Sequence, residues 1–292
     1  MIKFLTYNKI DFQKWDKCIS DSNNNLIYAH SWYLDVVCNN YWDALVLDDY
    51  KAVFPLHTKI KWGISIIRQP NFCQQLGVFA TVDYDFNEFL NAIPNKFKYL
   101  NFNLNVGQTD HPLVVKTNTN HIIYLDGVDY FSNYSSSVKK NVARARNRNV
   151  CLSKSPETID SYMSSLLANS KDYMSPAITN VQYKVMEESL KINKSRIVSA
   201  SLDGELCSSI FLLIDNKRLI LLSTYSSVLG KANSAYFFLI DYVLNLEEYQ
   251  GFTFDFEGSN IIGVAKVNLG FGAKEMKYNS VRAFKLPIIN KW

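Results

Sequence analysis

Apolar and polar positions alternate with a period of two in several short runs bounded by turn residues. In the second half, Arg196–Leu202 alternates as a strand and Asp203-Gly204 is a strong hairpin signal, because both residue types tolerate positive φ. Leu206–Ile214 reads as the returning strand, Asp215-Asn216 closes it, and Leu219–Tyr225 supplies a third. The pattern therefore predicts a three-stranded antiparallel meander. The stretch Tyr236–Leu246 is too long and too uniformly apolar for a strand and predicts a helix buried on most of its surface. Phe252–Phe256 reads as a short strand, followed by a glycine-punctuated segment to Phe271-Gly272 and a last strand around Val281–Leu286.

The first half echoes this order. Ala44–Leu47 and Val53–Leu56 flank an Asp48-Asp49 turn, Ile64–Arg68 is a third strand, Phe86–Ile93 reads as a helix and Tyr99–Val106 as a strand. Each half opens with helical stretches: Phe12–Ser20 and His30–Val37 in the first, Ile159–Ser170 and Tyr183–Ile192 in the second. Equivalent features lie roughly 150 residues apart, so one plan used twice is the economical account. The predicted fold is α/β (α+β): tandem domains at 1–130 and 131–292, each a mixed, partly antiparallel sheet flanked by helices. No Rossmann or Walker glycine pattern occurs, which disfavours dinucleotide and ATP sites of those types.

Composition narrows the classes. With 48% hydrophobic residues in 292, the chain has material for two buried cores. A net charge of +4 permits an anionic partner without requiring one. The five cysteines are odd in number, with no Cys-x-x-Cys pair, so neither a disulfide framework nor a metal site is expected. They read as buried thiols in a reducing cytoplasm. There is no signal-peptide pattern and no apolar run near the roughly 20 residues of a membrane span, so a cytoplasmic protein is expected. The four histidines all lie in the first half and no Gly-x-Ser-x-Gly elbow is present, which argues against a hydrolase.

Residues 134–150 carry the most distinctive local signal. Val138, Val142 and Ala145 recur at helical spacing, and Lys140, Arg144 and Arg148 at i, i+4, i+8 make one face purely cationic. Like charges at that spacing weaken an isolated helix by a few tenths of a kcal/mol each, so either an anion, a carboxylate neighbour or solvation must offset them. The face is either solvated surface or a phosphate-docking surface for a nucleotide-linked substrate or tRNA. The second signal is Phe254-Asp-Phe-Glu-Gly-Ser-Asn260, where alternation sets Asp255 and Glu257 opposite Phe254 and Phe256 at a strand end. A carboxylate there could orient or deprotonate an attacking amine, or could cap the next helix or pair with the basic helix.

These residues resemble a known family. Ser136, Lys140, Asn141 and Ala145 resemble the linker helix of Fem-like transferases, a branch of the GNAT superfamily of N-acyltransferases. Asp255-Phe-Glu-Gly-Ser259 with Gly270-Phe-Gly-Ala273 resembles their C-terminal signature, and Phe72-Cys-Gln-Gln-Leu-Gly77 also resembles a segment of bacterial members. The resemblance implies amide-bond formation on an amine, with alignment and oxyanion stabilisation replacing a covalent nucleophile. Peptidoglycan-building members take an aminoacyl group from tRNA and place it on a stem-peptide amine; other superfamily members use acyl-coenzyme A. Either donor is a co-substrate, with no tightly bound cofactor, and the implied partners are an amine-bearing small molecule or cell-wall precursor and tRNA.

On this reading Glu257, Asp255 and Asn268 are the catalytic candidates, Tyr225, Lys140, Arg144, Tyr278 and Phe271 the substrate contacts, and Gly230 and Lys231 the place for a donor phosphate. Two departures qualify it. Asn268 stands where peptidoglycan-type members often carry a lysine, so it can donate to an oxyanion but brings no charge. Ser226–Ser234 keeps Gly230 and small residues but not the full coenzyme A loop motif. A coenzyme A-dependent N-acetyltransferase acting on a small amine or amino sugar, and a non-catalytic RNA- or partner-binding module, are the alternatives.

Overall fold

A computed structural model describes residues 1–107, 113–127, 129–169, 175–258 and 260–284. In chain order the elements are β1 (Ile2–Leu5), α1 (Phe12–Asp21), α2 (Ser31–Cys38), β2 (Trp42–Leu47), β3 (Ala52–Lys61), β4 (Ile64–Arg68), β5 (Phe79–Ala80), α3 (Phe86–Ala92), β6 (Phe97–Asn103) and β7 (Val114–Tyr124). They continue with α4 (Tyr130–Asn133), α5 (Ser136–Asn147), β8 (Cys151–Leu152), α6 (Ile159–Asn169), α7 (Pro176–Lys191), β9 (Ser195–Leu202), β10 (Glu205–Asp215) and β11 (Arg218–Ser226). Last come α8 (Val228–Ala232), α9 (Ala235–Leu244), β12 (Thr253–Asp255), α10 (Ile262–Gly270) and β13 (Lys274–Phe284).

The chain divides into two units, one of Met1–Asn118 with the chain from Lys277, the other of Thr119–Met276. In the first unit the strand order is β1-β2-β3-β4-β6-β13, with β5 beside β3, and only the β4/β6 pair is parallel. In the second it is β7-β12-β11-β10-β9-β8, and only β11/β12 is parallel. The doubled plan is thus present: a meander, a parallel neighbour after a crossover, then an antiparallel strand. That last strand comes from the other half of the sequence in each case. Ser280–Phe284 of β13 pair with β6, and Ile122–Tyr124 of β7 pair with β12. The division therefore falls at 118/119 and 276/277 instead of the expected 130/131.

Local rules explain the hairpins. Asp203 and Gly204 (φ 50° and 84°) and Asn216 and Lys217 (φ 39° and 56°) put two consecutive residues at positive φ, the twist that two-residue hairpins need. The helix expected at Tyr236–Leu246 is α9, whose Leu239, Ile240 and Val243 pack with Ile210, Leu212 and Leu219 of the sheet. In the first unit Phe89 and Leu90 of α3 pack with Phe54, Ile67, Leu100 and Val281. Full burial of each such side chain contributes about 1.5–3 kcal/mol. Some expectations needed correction. The last strand begins at Lys274, α7 starts at Pro176 instead of Tyr183, and the segment before Phe271 forms the helix α10.

His57 is buried on β3, and burial, reinforced by the charges of Lys59 and Arg68, lowers its pKa to about 4. The unfolded chain binds this proton near pH 6.5, so stability is fully present above that value and falls as pH drops toward 4. The loss attributable to this group is about 3 kcal/mol. Urea denaturation of His57→Phe from pH 7 to 4 should show a flatter decline than the parent chain.

Candidate active site

In the second unit, one row of the sheet carries hydroxyl side chains on three successive strands. Ser199 on β9 lies directly opposite Ser209 on β10, which lies opposite Tyr225 on β11, so the three side chains share one face. The segment between β8 and α6 crosses this row and sets Glu157 on it. Thr158 caps α6 by accepting from the Ser161 N–H at 3.2 Å, which fixes where Glu157 leaves the helix. The Glu157 Oε2 accepts from Ser199 Oγ (2.9 Å) and Ser209 Oγ (2.5 Å), and Oε1 accepts from Tyr225 Oη (2.6 Å) and, more distantly, Ser161 Oγ (3.5 Å). Tyr162 of α6 packs edge-on against Tyr225 and its hydroxyl meets Ser223 Oγ at 2.7 Å.

The Tyr225 hydroxyl is pushed up to about 12, first by burial and then by its bond to Glu157, so it stays a proton donor at neutral pH. Glu157 itself is half-buried and lines a cleft of about 610 Å³ together with Cys151, Ser153, Lys154, Ser201 and Asp203. That volume is within the range of small-molecule sites. Hydroxyl groups hold the carboxylate, and the residue borders the cleft, an arrangement that could orient an amine there.

Asp255 lies elsewhere. It is 2% exposed at the end of β12, and its carboxylate accepts from Arg218 Nη1 (2.6 Å), Asn120 Nδ2 (3.1 Å) and the Glu257 N–H (2.8 Å). A buried carboxylate with three donors in place organises the strand end, paired with Arg218 of β11 and not with the basic helix. Glu257 is not on the strand alternation, since β12 ends at Asp255 and Glu257 adopts φ 56°. The following Gly258 is required: a Cβ there would lie 2.3 Å from the Thr119 carbonyl oxygen.

Phe271, expected to contact substrate, is 1% exposed and sits among the rings of Tyr134, Phe237 and Phe256 as part of the core. Tyr278 is buried on β13, in the first unit. Asn268 is 2% exposed on α10, and its Nδ2 has no hydrogen-bond partner among the described residues.

The basic segment is α5, with Val138, Val142 and Ala145 inward as the spacing predicts. Its cations divide. Arg146 pairs with the buried Asp241 (2.6 Å), which also accepts from Tyr134 Oη (3.2 Å). Lys140, Arg144 and Arg148 face outward and form no ion pair among the described residues. Asn141 of the linker pattern accepts from Ser234 Oγ at 2.8 Å, tying α5 to the start of α9. Arg144 reaches the same serine at 3.4 Å. Gly230 is packed against a bulge, its N–H donating to Ser227 Oγ (3.2 Å). Lys231 is exposed beside it on α8.

The site residues that sequence reasoning missed are Glu157, Ser199 and Ser209. The serines at alternate strand positions were a visible signal of a polar face, but the glutamate that joins them lies in a separate loop. Among the described residues no group of three or more His, Cys, Asp or Glu side chains could hold a metal ion, and no helix is long and apolar enough to cross a membrane.

No family model matches this sequence, and no curated protein matches it. The fold, however, matches solved structures along nearly the whole chain. FemX superposes with a TM-score of 0.68 at 10% identity, covering 95% of this chain and 96% of that one. A tandem GNAT protein from the clavulanic acid biosynthesis pathway gives 0.56 at 14% identity, covering 98% and 99%. L-PGS from Bacillus licheniformis gives 0.54 at 10%, covering 95% and 93%. The chain therefore has the Fem-like GNAT acyltransferase fold; at these identities the likeness is one of fold alone.

Proposed function

We propose that a chain with this fold over nearly its full length is an N-acyltransferase that forms an amide bond on an amine acceptor. The observation that carries the reading is Glu157, a carboxylate held by Ser199, Ser209 and Tyr225 in a residue that lines an open cleft. It orients the acceptor amine by charge and hydrogen bonding, so that the nitrogen lone pair meets the acyl carbonyl in a fixed geometry. Asn268, the oxyanion donor expected from sequence, is buried on α10 and is not among the residues that line this cleft, so it is given no role there.

The Fem-type reaction, aminoacyl transfer from tRNA to a cell-wall precursor peptide, is favoured over coenzyme A chemistry. The Ser227–Gly230 contact occupies an amide that a pyrophosphate would need, and α5 offers Lys140, Arg144 and Arg148, which form no ion pair among the described residues, as cations for phosphate. The test is transfer from radiolabelled aminoacyl-tRNA or acetyl-coenzyme A to a nucleotide-linked muramyl peptide. Glu157→Gln is expected to lower the rate on the order of a hundredfold while the fold is retained. Transfer from acetyl-coenzyme A alone would replace the donor, and transfer undiminished in Glu157→Gln would remove this site from the mechanism.

A further inference from the structure

A second cleft, of about 540 Å³, lies wholly in the first unit, on the face of β4, β6 and β13 opposite its core. The pairing defines that face. Ile66, Tyr99 and Phe284 stand directly opposite one another across the three strands, and Arg68, Asn101 and Arg282 form the next row. The residues between them, Ile67, Leu100, Val281 and Ala283, are buried in the core, so these rows point the other way. Between Ser65 and Ile66 the register with β6 skips Lys98, a bulge whose side chain lines the same cleft.

Two properties of this face need a partner to explain them. The first is its rings. Phe284 is 69% exposed and its ring lies 4.8 Å from that of Tyr99, tilted by 43°, and Trp62, at the β3–β4 turn, is 88% exposed with the Lys61 ammonium 4.5 Å above it. The second is its charge. Lys61, Arg68 and Lys98 line the cleft, no carboxylate does, and none of the three forms an ion pair among the described residues.

We infer that this sheet face docks a single-stranded segment of RNA, with Tyr99, Phe284 and Trp62 as stacking surfaces for bases and Lys61, Arg68 and Lys98 as phosphate contacts. Flat rings standing at sheet spacing beside cations are the chemistry that holds unpaired bases and their backbone together. An acidic peptide would meet the cations and leave the rings unused. A bilayer would meet the protruding Trp62 but could not enter the cleft that holds Tyr99. The inference is independent of the acyl donor, because it concerns a surface of the first unit and is read by binding alone.

The experiment is fluorescence anisotropy of a labelled short single-stranded RNA of mixed sequence with the full chain, repeated over a salt series. Tyr99→Ala and Phe284→Ala should each weaken binding by roughly tenfold. Arg68→Ala with Lys98→Ala should flatten the log–log salt dependence by about 0.7 for each cation removed. Circular dichroism melts of each variant establish that the sheet is intact. Three results would overturn the inference. These are no binding by the parent chain, binding that these variants leave unchanged but Lys140→Ala with Arg144→Ala abolishes, or binding only to vesicles containing phosphatidylglycerol.

Discussion

Arg218→Ala is expected to cost about 3–5 kcal/mol of stability, in the lower part of that range because the guanidinium is itself partly exposed. The reason is what it leaves behind. Asp255 is 2% exposed, and its Oδ2 would keep only the Asn120 amide at 3.1 Å once the 2.6 Å contact to Arg218 is gone. An uncompensated carboxylate in that position bears most of its desolvation cost. The pair bridges β11 and β12, which are parallel neighbours through Ile220 and Asp255, so the damage falls on the crossover that completes the second sheet. Urea denaturation of Arg218→Ala, Asp255→Asn and the double variant measures it. The double variant should be more stable than Arg218→Ala alone. If it is not, the buried charge is not the cause.

Gly230→Ala is the second large effect, and its mechanism is steric. A Cβ at Gly230 would lie 2.0 Å from the Cys207 carbonyl oxygen and 2.9 Å from its carbonyl carbon. That carbonyl is held in place: it sits where the β9/β10 register slips between Leu206 and Ser208, and it accepts from Ser227 N–H at 2.9 Å. Backbone cannot swing aside as a side chain does, so α8 must shift away from β10. Overpacking of this kind costs about 1–3 kcal/mol and more where relaxation is blocked. The gain in helix propensity, at most about 1 kcal/mol, does not offset it. Gly263→Ala in α10 is the matched control, since nothing lies within 4 Å of its Cβ position. Thermal melts should show a large drop for Gly230→Ala and an unchanged or higher midpoint for Gly263→Ala; equal midpoints would dismiss the close contact.

Both predictions concern residues that local sequence reading places near chemistry. Gly230 belongs to a loop expected to meet phosphate, and Asp255 to a pair of carboxylates expected to act on an amine. In each case the structure gives the residue a backbone or ion-pair partner far away in the chain. Periodicity reports which face of an element is buried, but it does not report what the other elements bring to that face.

What could be read from sequence was the set of features whose cause is local. The meander Arg196–Tyr225 and its Asp203-Gly204 turn follow from alternation and from residues that tolerate positive φ. The helix at Tyr236–Leu246 follows from an apolar run too long for a strand. The inward Val138, Val142 and Ala145 follow from helical spacing, and the doubling of the plan from comparing the two halves. The helix α10 escaped because Ile262–Gly270 is apolar without a helical stripe, so period gave no signal against a loop rich in glycine.

The rest depends on contacts between distant residues. Exchange of β7 and β13 between the halves moves the unit boundary, and no composition shift marks it, because strand pairing is a long-range choice made by the sheets. Glu157 joins Ser199, Ser209 and Tyr225 only because a bulged meander aligns one row across three strands while the chain before α6 passes over it. Hydrophobic pattern and turn chemistry thus determined the elements and their order. The assembled sheets determined which carboxylate is buried in an ion pair and which faces an open cleft, since that difference is set by neighbours far away along the chain.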